Sequence, residues 1–526
     1  MSEKFEMVAK TFQGLEGVLS DELQALGASD VLQGKRMVSF TGDKEMMYRA
    51  NFCLRTALRV LKPIYKFRST DADDLYNQVK RFDWTPFLTP ETTFSIDTTV
   101  FSDSFRHSRF VTYRVKDAIA DYFMELGGKR PSIRLNNPDI QLDVHISNDE
   151  VTISLDSSGE PLYRRGWRVA QTDAPINEVL AAGILKLSGW DGQCDLVDPM
   201  CGSGTFLIEA ALIAANINPG VYRKEYAFQH WDDYDQDLFE TIYNDDSGER
   251  AFDHKIYGSD IAIQAIEISK RNIKSAGVAK MIEVKQQDLR NITECPEKGM
   301  LVTNPPYGAR LKYDDIESLY ASMGEKMKKV FKGYHCWVMA YNTDLTDLIG
   351  LKPSINYPLL NGELECELRE YVIFEGRYND MRREGGDIKN RDFRASDNDR
   401  GAHRPRFRET FGNGDKRDDK RPRERQPRRD NDQSERRPRR FEKKEGGAAE
   451  RRMPRYGERP RSDRRDNGSG ERERQPRKEN LMDRDQFFHS EKFAKQVLQY
   501  RKPTLGKDSE VPIVKGRRNG WRKKDQ

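Results

Sequence analysis

Residues 195–211 read DLVDPMCGSGTFLIEAA. An apolar run ends at Asp198, Gly202 and Gly204 let the backbone turn closely past a ligand, and Thr205 opens a helical pattern. The same residues also suit an ordinary strand-to-helix turn. A dinucleotide fingerprint needs Gly-x-Gly-x-x-Gly, and the third position here is Leu207. No lysine follows in the P-loop manner, which argues against a phosphate cradle. What remains is a cofactor without pyrophosphate, lying across the C-terminal ends of parallel strands.

Downstream, KIYGSD, MIEVKQQD, GMLVTN and CWVMAY read as strands, and IAIQAIEISKRNIKSAG and DIESLYASMGEKMKKVF as the helices between them. This cadence predicts a parallel sheet with helices on both faces. In SINYPLLNGELECELREYVIF, Asn361-Gly362 between two strand-like runs predicts a terminal hairpin, with one antiparallel strand at the sheet edge. Residues 218–254 separate the first helix from the second strand. Their Tyr, Phe and Trp side chains argue against bare disorder, and the segment reads either as a lid over the cofactor or as a packed excursion.

The strand endings carry the chemistry. Asp260 ends KIYGSD, where a carboxylate accepts both hydroxyls of a ribose. Asp288 ends MIEVKQQD, where it either accepts from an adenine amino group or caps a helix. With the glycine turn, these endings outline an adenosine carrier with a positively charged sulfur, S-adenosylmethionine. The fourth ending is GMLVTNPPYGARL, residues 299–311. Two prolines fix a turn in which the Asn304 side-chain oxygen and the Pro305 carbonyl point at one exocyclic amino group, and Tyr307 offers a face for the base. Such a site needs no strong base, because the nitrogen sheds its proton after attack; its rate gain comes from alignment.

Upstream, residues 1–60 read as a small α+β unit, with a strand FEMVAKTF, a helix GLEGVLSDELQALG, and strand character around Gly34. Residues 61–160 read as a second unit: a helix near ADDLYNQVKRF, a strand TFSIDTTVF, a long helix from about Tyr113 to Leu126, and a hairpin turning at Asn148-Asp149.

Composition splits the chain in two. Residues 381–480 hold 34 Lys and Arg against 22 Asp and Glu, and residues 481–526 hold 12 against 6. Since the whole chain carries +4, residues 1–380 carry about −14. Residues 381–480 contain one Ile and no Leu or Val, too little apolar surface to offset ordering, so they are expected to be a disordered basic arm. DQFFHSEKFAKQVLQY, within residues 481–526, suits one short helix before a basic end. The charged start MSEKFEMVAKTF is unlike a signal peptide, and no run of 18 apolar residues suggests a membrane span. Six cysteines, Cys53, Cys194, Cys201, Cys295, Cys336 and Cys366, form no close pair. That argues against a metal cluster and fits a reducing cytoplasm.

DPMCGSGTFLIEAA, GSDI and LVTNPPYG resemble the cofactor and catalytic motifs of the THUMP-domain class I RNA methyltransferases, and in particular the bacterial 23S rRNA guanine-N2 methyltransferases that act on G2445. PLYRRGWR, APINEVLAAG and FRHSRFVTYRVKDAIADYF are similar to that family's interdomain and THUMP segments. The likeness covers about residues 1–380. It implies an α/β, Rossmann-like methyltransferase fold over residues 161–380 with its terminal hairpin, a ferredoxin-like α+β region over 1–60, and an RNA-binding THUMP domain over 61–160. It also implies S-adenosylmethionine as cofactor and large-subunit ribosomal RNA, or a pre-ribosomal particle, as partner. By position, Asp198, Gly202 and Gly204 would approach the methionine end, with Cys201 and Thr205 of the same turn in the cofactor set. Asp260 would hold the ribose, Asp288 the adenine, and Asn304, Pro305 and Tyr307 the target base. In some relatives a second methyltransferase domain follows; here the Arg-rich tail stands in its place, so that second activity is expected to be absent.

Because residues 1–380 are net acidic, RNA contact is expected from local patches: Arg106, His107, Arg109 and Arg114 in one cluster, Arg164, Arg165 and Arg168 in another. A solvated charged face would explain either cluster. The tail is expected to contact RNA phosphates in a salt-sensitive way. Three other readings stay open: guanine N2 in tRNA, adenine N6 in a nucleic acid, and an RNA-binding protein without activity.

Overall fold

The computed structural model describes residues 3–307, 313–341, 343–362 and 364–374. The expected disordered arm and short terminal helix lie outside these residues. Two sheets organise the described chain. The first contains β1 (Phe5–Lys10), β2 (Ser29–Gly34), β3 (Met37–Gly42), β4 (Arg59–Arg68), β5 (Thr93–Phe101), β6 (Ser132–Ile133), β7 (Ile140–Ser147) and β8 (Glu150–Asp156), in the order β2-β3-β1-β4-β8-β7-β5-β6. The β2–β3 hairpin turns with Arg36 in the left-handed region, and the β7–β8 hairpin turns at Asn148, also left-handed.

β4 joins the two N-terminal units. Residues 59–61 pair with β1, and residues 61–68 pair with β8. The boundary expected at 60/61 therefore falls inside one strand, and the two units share one sheet. Nothing in the sequence singled out RVLKPIYKFR as a central strand, because Pro63 cannot donate to a ladder. The register shifts between Pro63 and Tyr65, a bulge that accommodates the missing donor. The helix Lys44–Cys53, capped by the Asp43 carboxylate on the Met46 N–H, was likewise unanticipated.

The second sheet contains β9 (Asp195–Asp198), β10 (Ile256–Asp260), β11 (Ile282–Gln286), β12 (Gly299–Thr303), β13 (His335–Ala340), β14 (Ile355–Asn361) and β15 (Leu364–Val372), in the order β11-β10-β9-β12-β13-β15-β14. β9 to β13 are parallel to one another, and β15 runs antiparallel between β13 and β14. The antiparallel strand is thus one place in from the edge, a correction to the expected edge position: the hairpin folds back so that β14 forms the border.

Side-chain alternation explains why these strands read as unbroken apolar runs. Leu196, Met300, Val302, Trp337 and Met339 enter a core with the helices Glu178–Leu187, Thr205–Ala214 and Ile263–Ser275. Val197, Leu301, Cys336 and Val338 enter a second core with Tyr320, Met323 and Met327 of the helix Tyr313–Lys329. Both faces are covered, so both strand faces are largely apolar, with polar residues such as Thr303 kept where they have a partner. Among the described residues no helix is long and apolar enough to cross a membrane.

Candidate active site

From β9 the chain moves outward through β10 and β11, then returns to β12 on the other side of β9. The sheet reverses its direction of growth between β9 and β12, and ligands of open α/β sheets bind at the C-terminal strand ends of such a switch point. Asp198 ends β9, Thr303 ends β12, and Asn304 follows it. Sequence-distant motifs therefore meet at adjoining strand ends.

Thr303 Oγ1 donates to Asp198 Oδ1 at 2.8 Å, and the Met200 N–H donates to the same oxygen at 3.1 Å. Asp198 is 1% exposed, and burial pushes its pKa up to about 7 despite these donors. In the turn beyond it, Gly202 and Gly204 both take left-handed backbone conformations. A Cβ on Gly204 would lie 2.3 Å from Ser269 Oγ, so this position also needs glycine on packing grounds. A Cβ on Gly202 would meet nothing within 4 Å, which leaves open space beside the turn. Cys201 lies buried below, its thiol pKa raised well above the ordinary value by burial.

Asp260 spans the next two elements. One carboxylate oxygen accepts from the Gly202 N–H at 3.0 Å and the other from the Ala262 N–H at 2.9 Å. Each oxygen keeps acceptor capacity for a further donor. Asp288 lies two residues beyond β11 and accepts from the Arg290 N–H as cap of a short 3-10 turn. The Arg290 guanidinium also grips both its oxygens, at 2.6 to 3.1 Å, and these bonds hold its pKa below the usual carboxylate value. Of the two roles read from the sequence, the cap is the one the geometry contains.

After Thr303 the chain runs through the two prolines without regular structure. The Tyr307 hydroxyl donates to the Asn304 side-chain oxygen, and its ring lies 6.3 Å from that of Tyr341. Burial raises the Tyr307 pKa, keeping the hydroxyl a protonated donor. The Tyr320 hydroxyl reaches the Pro306 carbonyl at 3.5 Å.

Three arginines expected at RNA on sequence grounds make contacts within the protein, and only Arg165 is sealed from solvent. Arg165 is 2% exposed, paired with the fully buried Glu209 at 3.4 Å and donating to the Leu162 and Arg55 carbonyls. Arg168 donates to Glu178, Ser203 and Thr205. Arg114 lies 4.5 Å from the Tyr76 ring centroid and pairs with Asp73, tying two helices together. The buried Arg165 guanidinium has nothing left for a phosphate, whereas part of the Arg114 side chain remains exposed. Arg164 is exposed and paired with Glu160, while Arg106, His107 and Arg109 are exposed at the start of the helix Ser108–Gly127.

Residues 218–254 form no lid. Tyr226, Phe228, Trp231, Phe239 and Ile242 are buried in the core of the first sheet, with Phe228 stacked on Tyr48 at 4.3 Å. The segment is a strap to the N-terminal half.

Two polar residues escaped the sequence reading. Thr303 ends an otherwise apolar run. Asn272 is fully buried on a helix face shared with Ile266, Ser269 and Ile273. A polar residue at the apolar spacing of an amphipathic helix was the available signal for the latter.

A seven-stranded sheet in this order, with a glycine turn after β9 and Asn-Pro-Pro-Tyr after β12, defines a class I methyltransferase fold. Residues 165–370 match the RMKL-like methyltransferase domain, residues 69–156 the THUMP domain, and residues 6–61 the RlmL ferredoxin-like domain. The ribosomal RNA large subunit methyltransferase K/L of Syntrophotalea carbinolica is 39% identical over 391 residues, covering 72% of this chain and 55% of that protein. A putative RNA methyltransferase of Synechocystis is 36% identical over 369 residues, covering 70% of this chain and 96% of that protein. A putative methyltransferase solved in complex with S-adenosylhomocysteine superposes with a TM-score of 0.64 at 29% identity, over 72% of this chain and all of that one. The chain belongs to the RMKL-like methyltransferase family. It spans about half the length of the K/L relatives and nearly all of the Synechocystis protein.

Proposed function

We propose that the chain transfers a methyl group from S-adenosylmethionine to the exocyclic N2 of a guanine in 23S rRNA, at G2445. The observation that carries this reading is the meeting of the two motifs at the β9/β12 switch point, through the Thr303–Asp198 bond.

The residues present fit such a cofactor. The open space beside Gly202 admits a ligand against the turn, and Asp260 keeps lone pairs for two ribose hydroxyls. Asp198, Cys201, Gly204 and Thr205 build the floor and the turn at the methionine end, and Asp288 borders the adenine end while capping its own turn. When bound, S-adenosylmethionine supplies an electrophilic methyl carbon on a sulfonium.

Asn304 Oδ1 and the Pro305 carbonyl accept from the two hydrogens of the target amine and aim its nitrogen lone pair. With S-adenosylmethionine held there, that pair would form the new N–C bond as the S–C bonding pair stayed on sulfur, and the amine proton would leave to water. The Asn304 oxygen already accepts from Tyr307, and its second lone pair remains for the substrate. The Tyr307 ring supplies the stacking surface for a base taken out of its helix. Arg106, Arg109 and Arg164, with the partly exposed Arg114, are the cations of these clusters that meet RNA phosphates, with His107 exposed beside them and the basic tail in addition.

Purified chain incubated with unmodified 23S rRNA and S-adenosylmethionine tests this. Release of S-adenosylhomocysteine with N2-methylguanine in the nuclease digest is the expected result. N6-methyladenine would move the reading to the adenine alternative, which the same amine-directed geometry serves. Absence of any methylated base would leave a binding protein.

A further inference from the structure

The segment that leaves the N-terminal half does not simply connect. Gly166 is left-handed, and a Cβ there would lie 2.2 Å from the Tyr222 carbonyl oxygen, so the linker is pressed against the base of the strap. Arg168, its guanidinium carbon 4.9 Å from the Trp167 ring centroid, then reaches the cofactor turn. Its Nε donates to Glu178 at 2.7 Å, one terminal nitrogen to Ser203 Oγ at 2.9 Å, and the other to Thr205 Oγ1 at 2.8 Å and the Ile176 carbonyl at 3.4 Å.

From the opposite side, the Asn272 oxygen accepts from the Val169 and Ala170 N–H groups at 3.0 and 3.1 Å. Its amide nitrogen donates to the Ala170 carbonyl at 2.8 Å and the Ser203 carbonyl at 3.0 Å. Ser203 is therefore held by its hydroxyl from Arg168 and by its carbonyl from Asn272. It sits between Gly202 and Gly204, the two residues of the turn with the greatest backbone freedom.

We propose that Arg168 and Asn272 form a two-sided clamp by which the interdomain linker sets the conformation of the cofactor turn, making both positioning residues for S-adenosylmethionine. A turn built on two glycines has many accessible conformations, and a cofactor that selects one of them loses affinity in proportion to how rarely it is populated. Fixing Ser203 at two atoms from two elements removes that loss. Because one of those elements is the linker, the placement of the N-terminal half is mechanically joined to the cofactor turn. This inference rests on the proposed methyltransferase reading.

Calorimetric titration of the full chain with S-adenosylhomocysteine, paired with thermal melting, tests it. Arg168→Lys keeps the charge beside Glu178 but has no planar fork to bridge two hydroxyls. Its Kd should rise about tenfold or more, the range expected when charged hydrogen bonds are lost. Ser203→Ala removes one acceptor and leaves the Arg168–Glu178 pair intact; its Kd should rise by a smaller factor, with little change in melting temperature. Unchanged Kd in both variants, or a lower melting temperature with unchanged Kd, would overturn the clamp. Should Arg168→Lys not fold, Ser203→Ala decides alone: a raised Kd supports the clamp and an unchanged one overturns it. Failure of the wild-type chain to bind S-adenosylhomocysteine would instead overturn the methyltransferase reading.

Discussion

The Thr303 hydroxyl donates to the Asp198 carboxylate at 2.8 Å across the junction of two parallel strands, and both side chains are essentially without solvent contact. This bond stabilises the ionised carboxylate more than the protonated one. Thr303→Val is isosteric but leaves that acceptor short of a donor, a cost of about 1–3 kcal/mol when the carboxylate is charged. Denaturant unfolding should show a larger deficit at pH 8 than at pH 5, and Thr303→Ser should restore most of it. Equal deficits at both pH values would mean that the hydroxyl acts by packing alone.

The raised pKa of Asp198 has its own sign. Its folded value, about 7, lies above its unfolded value, 3.8, so in the window between them the folded chain holds a proton that the unfolded chain has shed. Asp198 therefore lowers stability as pH climbs from about 4 to 7, and no further beyond that. With S-adenosylmethionine placed beside it as proposed, the sulfonium charge would favour ionisation, so binding near neutral pH should release a proton. Affinity for S-adenosylmethionine should weaken by up to about tenfold per unit below pH 7. Calorimetry in buffers of different ionisation enthalpy reads the proton directly, and Asp198→Asn should abolish the pH dependence.

On the proposed role of the Asn304 oxygen, holding the amine in the transition state, Asn304→Ala should lower single-turnover methylation far more than cofactor affinity. Tyr307→Phe keeps a ring for stacking and removes the donor now directed at Asn304. It should therefore damage turnover less than Tyr307→Ala, which also loses about 1–3 kcal/mol of base stacking. Equal losses in the two tyrosine variants would show that the hydroxyl, rather than the ring, matters.

The strap makes a stability prediction. Phe228 is fully buried between Tyr48 and Tyr226, with ring centroids at 4.3 and 5.2 Å. Phe228→Ala should cost about 3–5 kcal/mol, as large aromatic truncations do. Calorimetric melting of the full chain reads this. A loss below about 1 kcal/mol would mean that the strap adds little to the N-terminal core.

Removing residues 381–526 should leave S-adenosylhomocysteine binding intact and flatten the salt dependence of RNA affinity. About five net phosphate contacts correspond to a change in logarithmic slope of about 3.5 to 4.5. Identical slopes with and without the tail would assign the electrostatic grip to the folded part.

Local signals made the site's polar strand endings and the hairpins at Asn148 and Gly362 readable. The glycines of 195–211, the polar endings Asp198 and Asp260, and the turn residues Asn148 and Gly362 each bear on their immediate neighbours. What stayed hidden depended on distant partners. Pro63 argued against a strand that a bulge accommodates, and the aromatics of 218–254 could not name Tyr48 as their destination. Charge alone could not say which arginines face water: Arg164 and Arg165 are adjacent, yet the first is exposed and the second sealed against Glu209.

The strap sets a limit on modularity. A fragment cut near residue 160 would carry Tyr226, Phe228, Trp231 and Phe239 away from the sheet that covers them, presenting a cluster of bare aromatic rings to solvent. Such a patch invites self-association. The reciprocal fragment would keep a groove over Tyr48 and Phe52 with its filling removed. A heterologous RNA-binding module could therefore not be grafted onto this catalytic half by splicing at the linker; the exchange would have to include the strap, sixty residues further along the chain.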